Sequence, residues 1–311
     1  MNKSGWKQAG AVILLAVLLG GCGGAGTSNN GNQAGAGNAG NGTGEAAPQA
    51  CGQIRLAYVA WDSEIASTYV VKEVLEQKLG CQVELLQVDA GPMFAGISDG
   101  SADAMVAAWL PTTHAAYIEQ YGDQLVDLGP NLNGTRIGLV VPQYMEIASI
   151  DQLASDAAVG DAVQHRIIGI EPGAGIMMST RAAMDTYGLE DWTLLESSSA
   201  AMAQELDKAY RAKEPIVVTG WTPHWMFAKM ELKYLEDPQN VYGGAEQIHT
   251  MTRKGLESDM PEAAAVLDRF EWTPEDMAEV MLEIADGEEP QAAAKAWVDG
   301  HPDKVGEWVG S

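Results

Sequence analysis

The chain reads as an α/β protein, and three features of its body predict this. Short apolar strands alternate with amphipathic helices from about residue 53 to residue 252. The alternation falls into two βαβαβ sets, one before residue 141 and one after residue 165. Each set ends in a strand, a Trp and a Pro: Ala107-Ala-Trp109-Leu-Pro111, then Thr219-Gly-Trp221-Thr-Pro223. This internal likeness predicts two lobes of similar architecture. Ligands of open α/β sheets bind beyond the carboxyl ends of the strands, so facing lobes would hold a site in the cleft between them.

The expected strands are Ile54–Val59, Val83–Val88, Ala104–Ala107, Ile137–Val141, Arg166–Ile170, Thr193–Glu196, Ile216–Thr219 and Gln247–Thr252. Helices are expected between them, near 64–79, 92–99, 112–121, 150–158, 174–187, 199–212 and 223–230. Asp62 and Glu64, beside Trp61, read as residues that cap and precede the first helix; a carboxylate pair is the alternative. Residues 256–311 read as helices only, with Asp259-Met-Pro and Trp272-Thr-Pro as start signals.

The N-terminus speaks to compartment. Lys3 and Lys7 precede an apolar run, Ala9 to Leu19, that is too short to span a bilayer comfortably. Leu19-Gly20-Gly21-Cys22 then has the form of a bacterial lipobox. Residues 1–21 are therefore expected to be a signal peptide. Cys22 is expected to carry lipid, with two or more acyl chains needed for firm anchoring. An ordinary signal peptide with an incidental Cys is the alternative. Residues 22–51 form a linker of mainly Gly, Ala, Asn, Ser, Thr and Gln with no apolar face to bury. As a coil it reaches roughly 30 Å on average, which suits a tether.

Composition removes several function classes. The formal charge is −25 with 18 Lys and Arg, and no basic patch is visible, so nucleic acid is not an expected partner. Five His stand at 114, 165, 224, 249 and 301 without His-Glu-x-x-His or Cys-x-x-Cys spacing, so neither a metal nor another cofactor is expected. No enzyme is read here. Cys51 and Cys81 precede two strands of one βαβ unit, which start at the same sheet edge. A disulfide is expected in an oxidising compartment; two free thiols are the alternative.

Three Trp stand just past the carboxyl ends of the expected strands: Trp61, Trp109 and Trp221. Trp192, Trp225, Trp272, Trp297 and Trp308 have helical or strand-start contexts and read as packing residues. Three indole faces around one point form a cage for a methylated cation, which cannot hydrogen-bond but gains about 1–2 kcal/mol from each desolvated π-face. The loop Glu171-Pro-Gly-Ala-Gly-Ile176 follows a strand and opens a helix, which lets backbone N–H groups meet an anion. It is not a P-loop, because no Gly-Lys-Ser/Thr follows. His114, shortly after Trp109, is a candidate second donor to a carboxylate; a structural His is the alternative.

These motifs resemble a known family. Tyr58-Val-Ala-Trp61-Asp-Ser-Glu64, Ala108-Trp-Leu-Pro-Thr-Thr-His114, Gly138-Leu-Val-Val-Pro142, Glu171-Pro-Gly-Ala-Gly-Ile176 and Gly220-Trp-Thr-Pro-His-Trp-Met226 closely resemble the glycine betaine-binding proteins of osmoprotectant ABC importers. The resemblance implies a two-lobed, type II periplasmic-binding-protein fold with two crossover strands. It implies an aromatic cage of Trp61, Trp109 and Trp221, and a carboxylate held by His114 and the N–H groups of Gly175 and Ile176. It implies crossovers at Gly138–Pro142 and Gln247–Arg253, one lobe of residues 52–141 plus 246–311, and another of 142–245. The implied ligand is glycine betaine, with proline betaine or carnitine as relatives, and the implied partner is an ABC permease with its ATPase. The expected state is a monomer, lipid-anchored outside the cell or in the periplasm. A surface adhesin or a sensor ectodomain with the same cage is the competing reading.

Overall fold

The computed structural model describes residues 51–310. The expected signal peptide, Cys22 and nearly all of the linker lie outside the described residues.

The first set runs β1 (Gln53–Tyr58), α1 (Asp62–Leu79), β2 (Gln82–Gln87), α2 (Ala90–Asp99), β3 (Ala104–Leu110) and α3 (Ala115–Tyr121). A long strand β4 (Leu125–Pro142) leads to α4 (Asp151–Ser155) and α5 (Ala157–Ala162). The second set is β5 (Arg166–Ile168), α6 (Gly175–Tyr187), β6 (Thr193–Leu195), α7 (Ser199–Ala212) and β7 (Val218–Thr222). Then come α8 (Met226–Lys229), β8 (Leu232–Tyr234) and β9 (Glu246–Arg253). The chain ends with α9 (Leu256–Asp259), α10 (Pro261–Arg269), α11 (Pro274–Ala285), α12 (Pro290–Gly300) and α13 (Pro302–Val309).

The nine strands follow the order β2-β1-β3-β9-β4-β7-β5-β6, with β8 beside β4. β1 pairs in parallel with β2 and β3, and β5 in parallel with β6 and β7. The two parallel groups are joined through β4. Its first part, Leu125–Thr135, pairs antiparallel with β9. Its second part, Arg136–Pro142, pairs antiparallel with β7 and β8. The expected crossover at Gly138–Pro142 is thus the end of a much longer crossing strand. The other expected crossover strand, β9, pairs only with β3 and β4.

Helix α1 shows why these elements form where they do. Ala66, Val70, Val71, Val74 and Leu75 are buried, and α1 lies between the strands β1–β3 and the helices α11 and α12. Gly80, at φ +65°, ends the helix in the left-handed conformation that glycine adopts without strain. Thr273 caps α11 in a reciprocal box with Asp276 and is followed by Pro274, as the Trp-Thr-Pro signal predicts. Helix α10 likewise begins at Pro261, as the Asp259-Met-Pro signal predicts, with Met260 in the cap position and no side-chain cap. Trp272, Trp297 and Trp308 form one aromatic cluster with Phe270, with ring centroids 4.9–5.7 Å apart, so they are packing residues as expected.

Cys51 and Cys81 form a disulfide, with Cα atoms 4.6 Å apart at the shared starting edge of β1 and β2. It closes a loop spanning 30 positions, for which chain entropy predicts about 3–4 kcal/mol of stabilisation. Reduction is expected to lower the denaturant midpoint accordingly and to add two protons to the intact mass. No helix among the described residues is long and apolar enough to cross a membrane.

Candidate functional site

The site forms where the two parallel groups meet. Trp61 immediately precedes α1, just beyond β1. Trp109 and Trp221 lie within the ends of β3 and β7 rather than past them, because neighbouring antiparallel strands extend the pairing: Trp109 opposes Ile248, and Trp221 opposes Ile137. Both are followed by a cis X–Pro bond, Leu110–Pro111 and Thr222–Pro223, so the likeness between the two sets extends to backbone geometry.

All six sequence-predicted ligand residues line one cavity: Trp61, Trp109, His114, Gly175, Ile176 and Trp221. Thr113, Ile137, Ile170 and Ala174 complete its wall. Ile137 is legible in hindsight, because a residue opposite Trp221 in an antiparallel register shares its face. The others had no distinguishing signal.

Each of the three indoles has its N–H held by a polar side chain. Trp61 donates to Glu171 Oε1 at 2.5 Å, Trp109 to Glu64 Oε1 at 2.8 Å, and Trp221 to Ser63 Oγ at 3.2 Å. The Asp62-Ser63-Glu64 segment is therefore not a helix cap; α1 has no side-chain cap. These residues point into the junction instead. Asp62 accepts from Ser199 Oγ and Trp225 Nε1, each at 2.7 Å, and lies 3.4 Å from His224 Nε2. Trp225, expected to be a packing residue, also supplies this bond between the two groups. Tyr117 adds another by donating to the Gly173 carbonyl at 2.7 Å.

The donor side of the site is equally ordered. Glu246 of β9 accepts the N–H groups of Thr112 and Thr113 at 2.6 and 2.8 Å and also the Thr113 hydroxyl, which pins the turn that carries His114. His114 Nδ1 accepts the Trp109 backbone N–H at 2.9 Å, which places the ring proton on Nε2. His114 is completely buried, and its Nε2 has no protein partner. Burial pushes its pKa down to about 3, so the ring is a neutral donor at ordinary pH. Across the cavity, Gly175 and Ile176 open α6 after Ala174, with no side-chain cap. The first N–H groups of a helix have no intrahelical acceptor and carry its positive dipole end.

The acids behind the cage differ in charge state. Burial pushes Glu64 up to about 8, against the opposing hydrogen bonds from Trp109 and Ser67. Burial also raises Glu171. For Asp62 burial acts in the same sense, but the contacts of His224, Ser199 and Trp225 outweigh it and hold the carboxyl at about 2. No group of His, Cys, Asp and Glu that could hold a metal occurs among the described residues.

Residues 52–300 match the family model for the substrate-binding domain of ABC-type glycine betaine transport systems, OpuAC. The chain belongs to this family. Within it, the glycine betaine/carnitine transport binding protein GbuC of Listeria monocytogenes is 57% identical over 153 residues. That match covers 49% of this chain and 51% of GbuC, so the chain spans about half the length of this curated relative. Lactococcal OpuAC, solved closed with glycine betaine, is 43% identical, with a TM-score of 0.78 over 83% of this chain and 99% of that one. The glycine betaine/L-proline-binding protein ProX of Borrelia burgdorferi is 35% identical, with a TM-score of 0.79 over 83% of this chain and 96% of that one. An ABC-transporter choline-binding protein in complex with choline is 28% identical, with a TM-score of 0.77 over 84% of this chain and 92% of that one. The expected two-lobed periplasmic-binding-protein fold is the fold of these OpuAC-type proteins.

Proposed function

We propose that this chain is the extracytoplasmic binding protein of an ABC importer and that it captures glycine betaine, or a close quaternary ammonium relative, between its lobes. One observation carries the reading: three indoles and a neutral His with an unpartnered Nε2–H line a single cavity. A trimethylammonium group gains from π-faces, while a carboxylate needs donors. Trp61, Trp109 and Trp221 form the cage. His114 Nε2 and the N–H groups of Gly175 and Ile176 take the carboxylate. Choline would leave these donors unmatched, which favours a betaine. Nothing in this arrangement makes or breaks a covalent bond, and the protein acts as a binding protein rather than an enzyme.

The lobes are residues 52–141 with 246–311, and residues 142–245. Trp61, Trp109 and His114 then belong to the first, and Gly175, Ile176 and Trp221 to the second. Ligand bridges them and shifts the population towards the closed form, which the permease and its ATPase receive. Residues 1–21 are removed on export, Cys22 carries the lipid, and the linker holds the monomeric body off the membrane on its outer or periplasmic side.

Calorimetric titration of the soluble body from Cys51 onward tests the reading. Glycine betaine, proline betaine or carnitine should bind near micromolar Kd, about −8 kcal/mol, with choline weaker and glycine silent. Glycine binding as tightly as glycine betaine would exclude recognition by an aromatic cage.

The bridge at Asp62 should matter although Asp62 does not line the cavity. Asp62→Ala is expected to weaken glycine betaine binding by about 1–3 kcal/mol, since it strands buried donors of the other lobe. The pH dependence has a defined sign. The carboxyl is held at about 2, below its ordinary value of 3.8. Its contribution is therefore complete above 3.8 and is lost as pH falls towards about 2. Intrinsic Trp fluorescence of the liganded protein during acid titration reads this opening.

A further inference from the structure

Glu64 is the one fully buried carboxyl beside the cage that the proposed binding mode leaves unused. It is 0% exposed, it does not line the cavity, and its side-chain partners are the Trp109 indole N–H at 2.8 Å and the Ser67 hydroxyl at 3.4 Å. No cation pairs with it among the described residues. A carboxyl in such a place is costly, and an apolar side chain would fill the volume without that cost. Its geometry gives it one route to the ligand, through the ring of Trp109.

We propose that Glu64 is the charge-positioning residue of the cage. It fixes the Trp109 ring by its N–H and, when ionised, places negative charge behind the π-face that meets the ligand, so that the site selects a cation over a neutral group of the same shape. This rests on the cage reading given above. An indole whose N–H is bound to a carboxylate carries a more negative face than one bonded to water, and a cation across the ring is attracted directly by the carboxylate as well.

Cation capture is then linked to a proton. Burial raises Glu64 to about 8, so near neutral pH the ligand-free carboxyl keeps its proton in most molecules. A bound cation favours the ionised form, and affinity therefore rises with pH through that range. The neighbouring titratable groups do not give this profile on their own. Asp62, two residues earlier on α1, is held at about 2, and His114, on the turn after β3, is held at about 3. Glu171, from the other lobe, is also raised and holds Trp61, so it is the group to control for.

The experiment compares glycine betaine with 3,3-dimethylbutanoate, its isostere in which an uncharged tert-butyl group replaces the trimethylammonium and the carboxylate is kept. Each is titrated calorimetrically into the wild type, Glu64→Gln and Glu171→Gln, at about pH 6 and about pH 9. Gln keeps an acceptor for the Trp109 N–H and removes the charge; circular dichroism confirms that each variant is folded. The wild type should bind glycine betaine roughly tenfold more tightly at the higher pH. Glu64→Gln should abolish this gain while changing 3,3-dimethylbutanoate binding by less than about twofold, and Glu171→Gln should retain the gain. Equal losses for both ligands in Glu64→Gln, or a pH gain that survives it, would overturn the proposal while leaving the cage intact. A wild type that binds neither ligand would instead overturn the cage reading beneath it.

Discussion

Glycine betaine affinity is expected to fall roughly 10- to 100-fold in Gly175→Ala, with little change in the thermal midpoint of the ligand-free protein. A Cβ at Gly175 would run into the Thr113 carbonyl oxygen and would lie 2.6 Å from Thr113 Cγ2. The obstacle is backbone, and it cannot yield easily, because Glu246 pins the N–H groups of Thr112 and Thr113. Gly175 itself opens a helix after an uncapped N-cap and does not have a positive φ, so alanine suits its local conformation. The collision exists only where the two parallel strand groups meet. On the proposed two-lobe reading, the methyl should spare the fold of each group and penalise closure. Calorimetry reads the affinity, and small-angle scattering reads whether saturating ligand still compacts the protein. Unchanged affinity would mean that the lobes do not close through this contact.

Trp109→Ala is expected to weaken glycine betaine binding by about 1–3 kcal/mol, and Trp109→Phe by less, since Phe keeps a π-face. The alanine variant should also lose about 3–5 kcal/mol of stability, because the indole is 3% exposed and is the nearer donor to buried Glu64. Affinity is therefore to be measured well below the variant's thermal midpoint. Full affinity in folded Trp109→Ala would remove Trp109 from the cage.

That the six expected ligand residues would line one cavity was legible because local rules place them. Residues at the ends of parallel strands, and a glycine-rich turn into a helix, face the cleft whatever the rest of the chain does. The remainder depended on distant partners. The stretch Gly129-Pro-Asn-Leu-Asn-Gly134 has the composition of a loop, yet it forms the first part of β4. It pairs with β9 through three register shifts, and these irregularities accommodate Pro130 and the glycines that a regular strand would reject. Asp62 and Glu64 were read as acids of a helix start because that is their local meaning. Their partners lie 137 and 163 positions away for Asp62, at Ser199 and Trp225, and 45 positions away for Glu64, at Trp109. No local pattern encodes such contacts. They exist because the fold buries these carboxyls beside indole N–H and hydroxyl donors from distant segments, and buried polar groups are paired.

The central claim is that one cavity holds a quaternary ammonium at one end and a carboxylate at the other. A crystal structure of the body with glycine betaine tests it most directly. The trimethylammonium group should sit among Trp61, Trp109 and Trp221, with a carboxylate oxygen on His114 Nε2 and on the N–H groups of Gly175 and Ile176. Ligand bound outside this cavity, or with its carboxylate turned towards the indoles, would contradict the account.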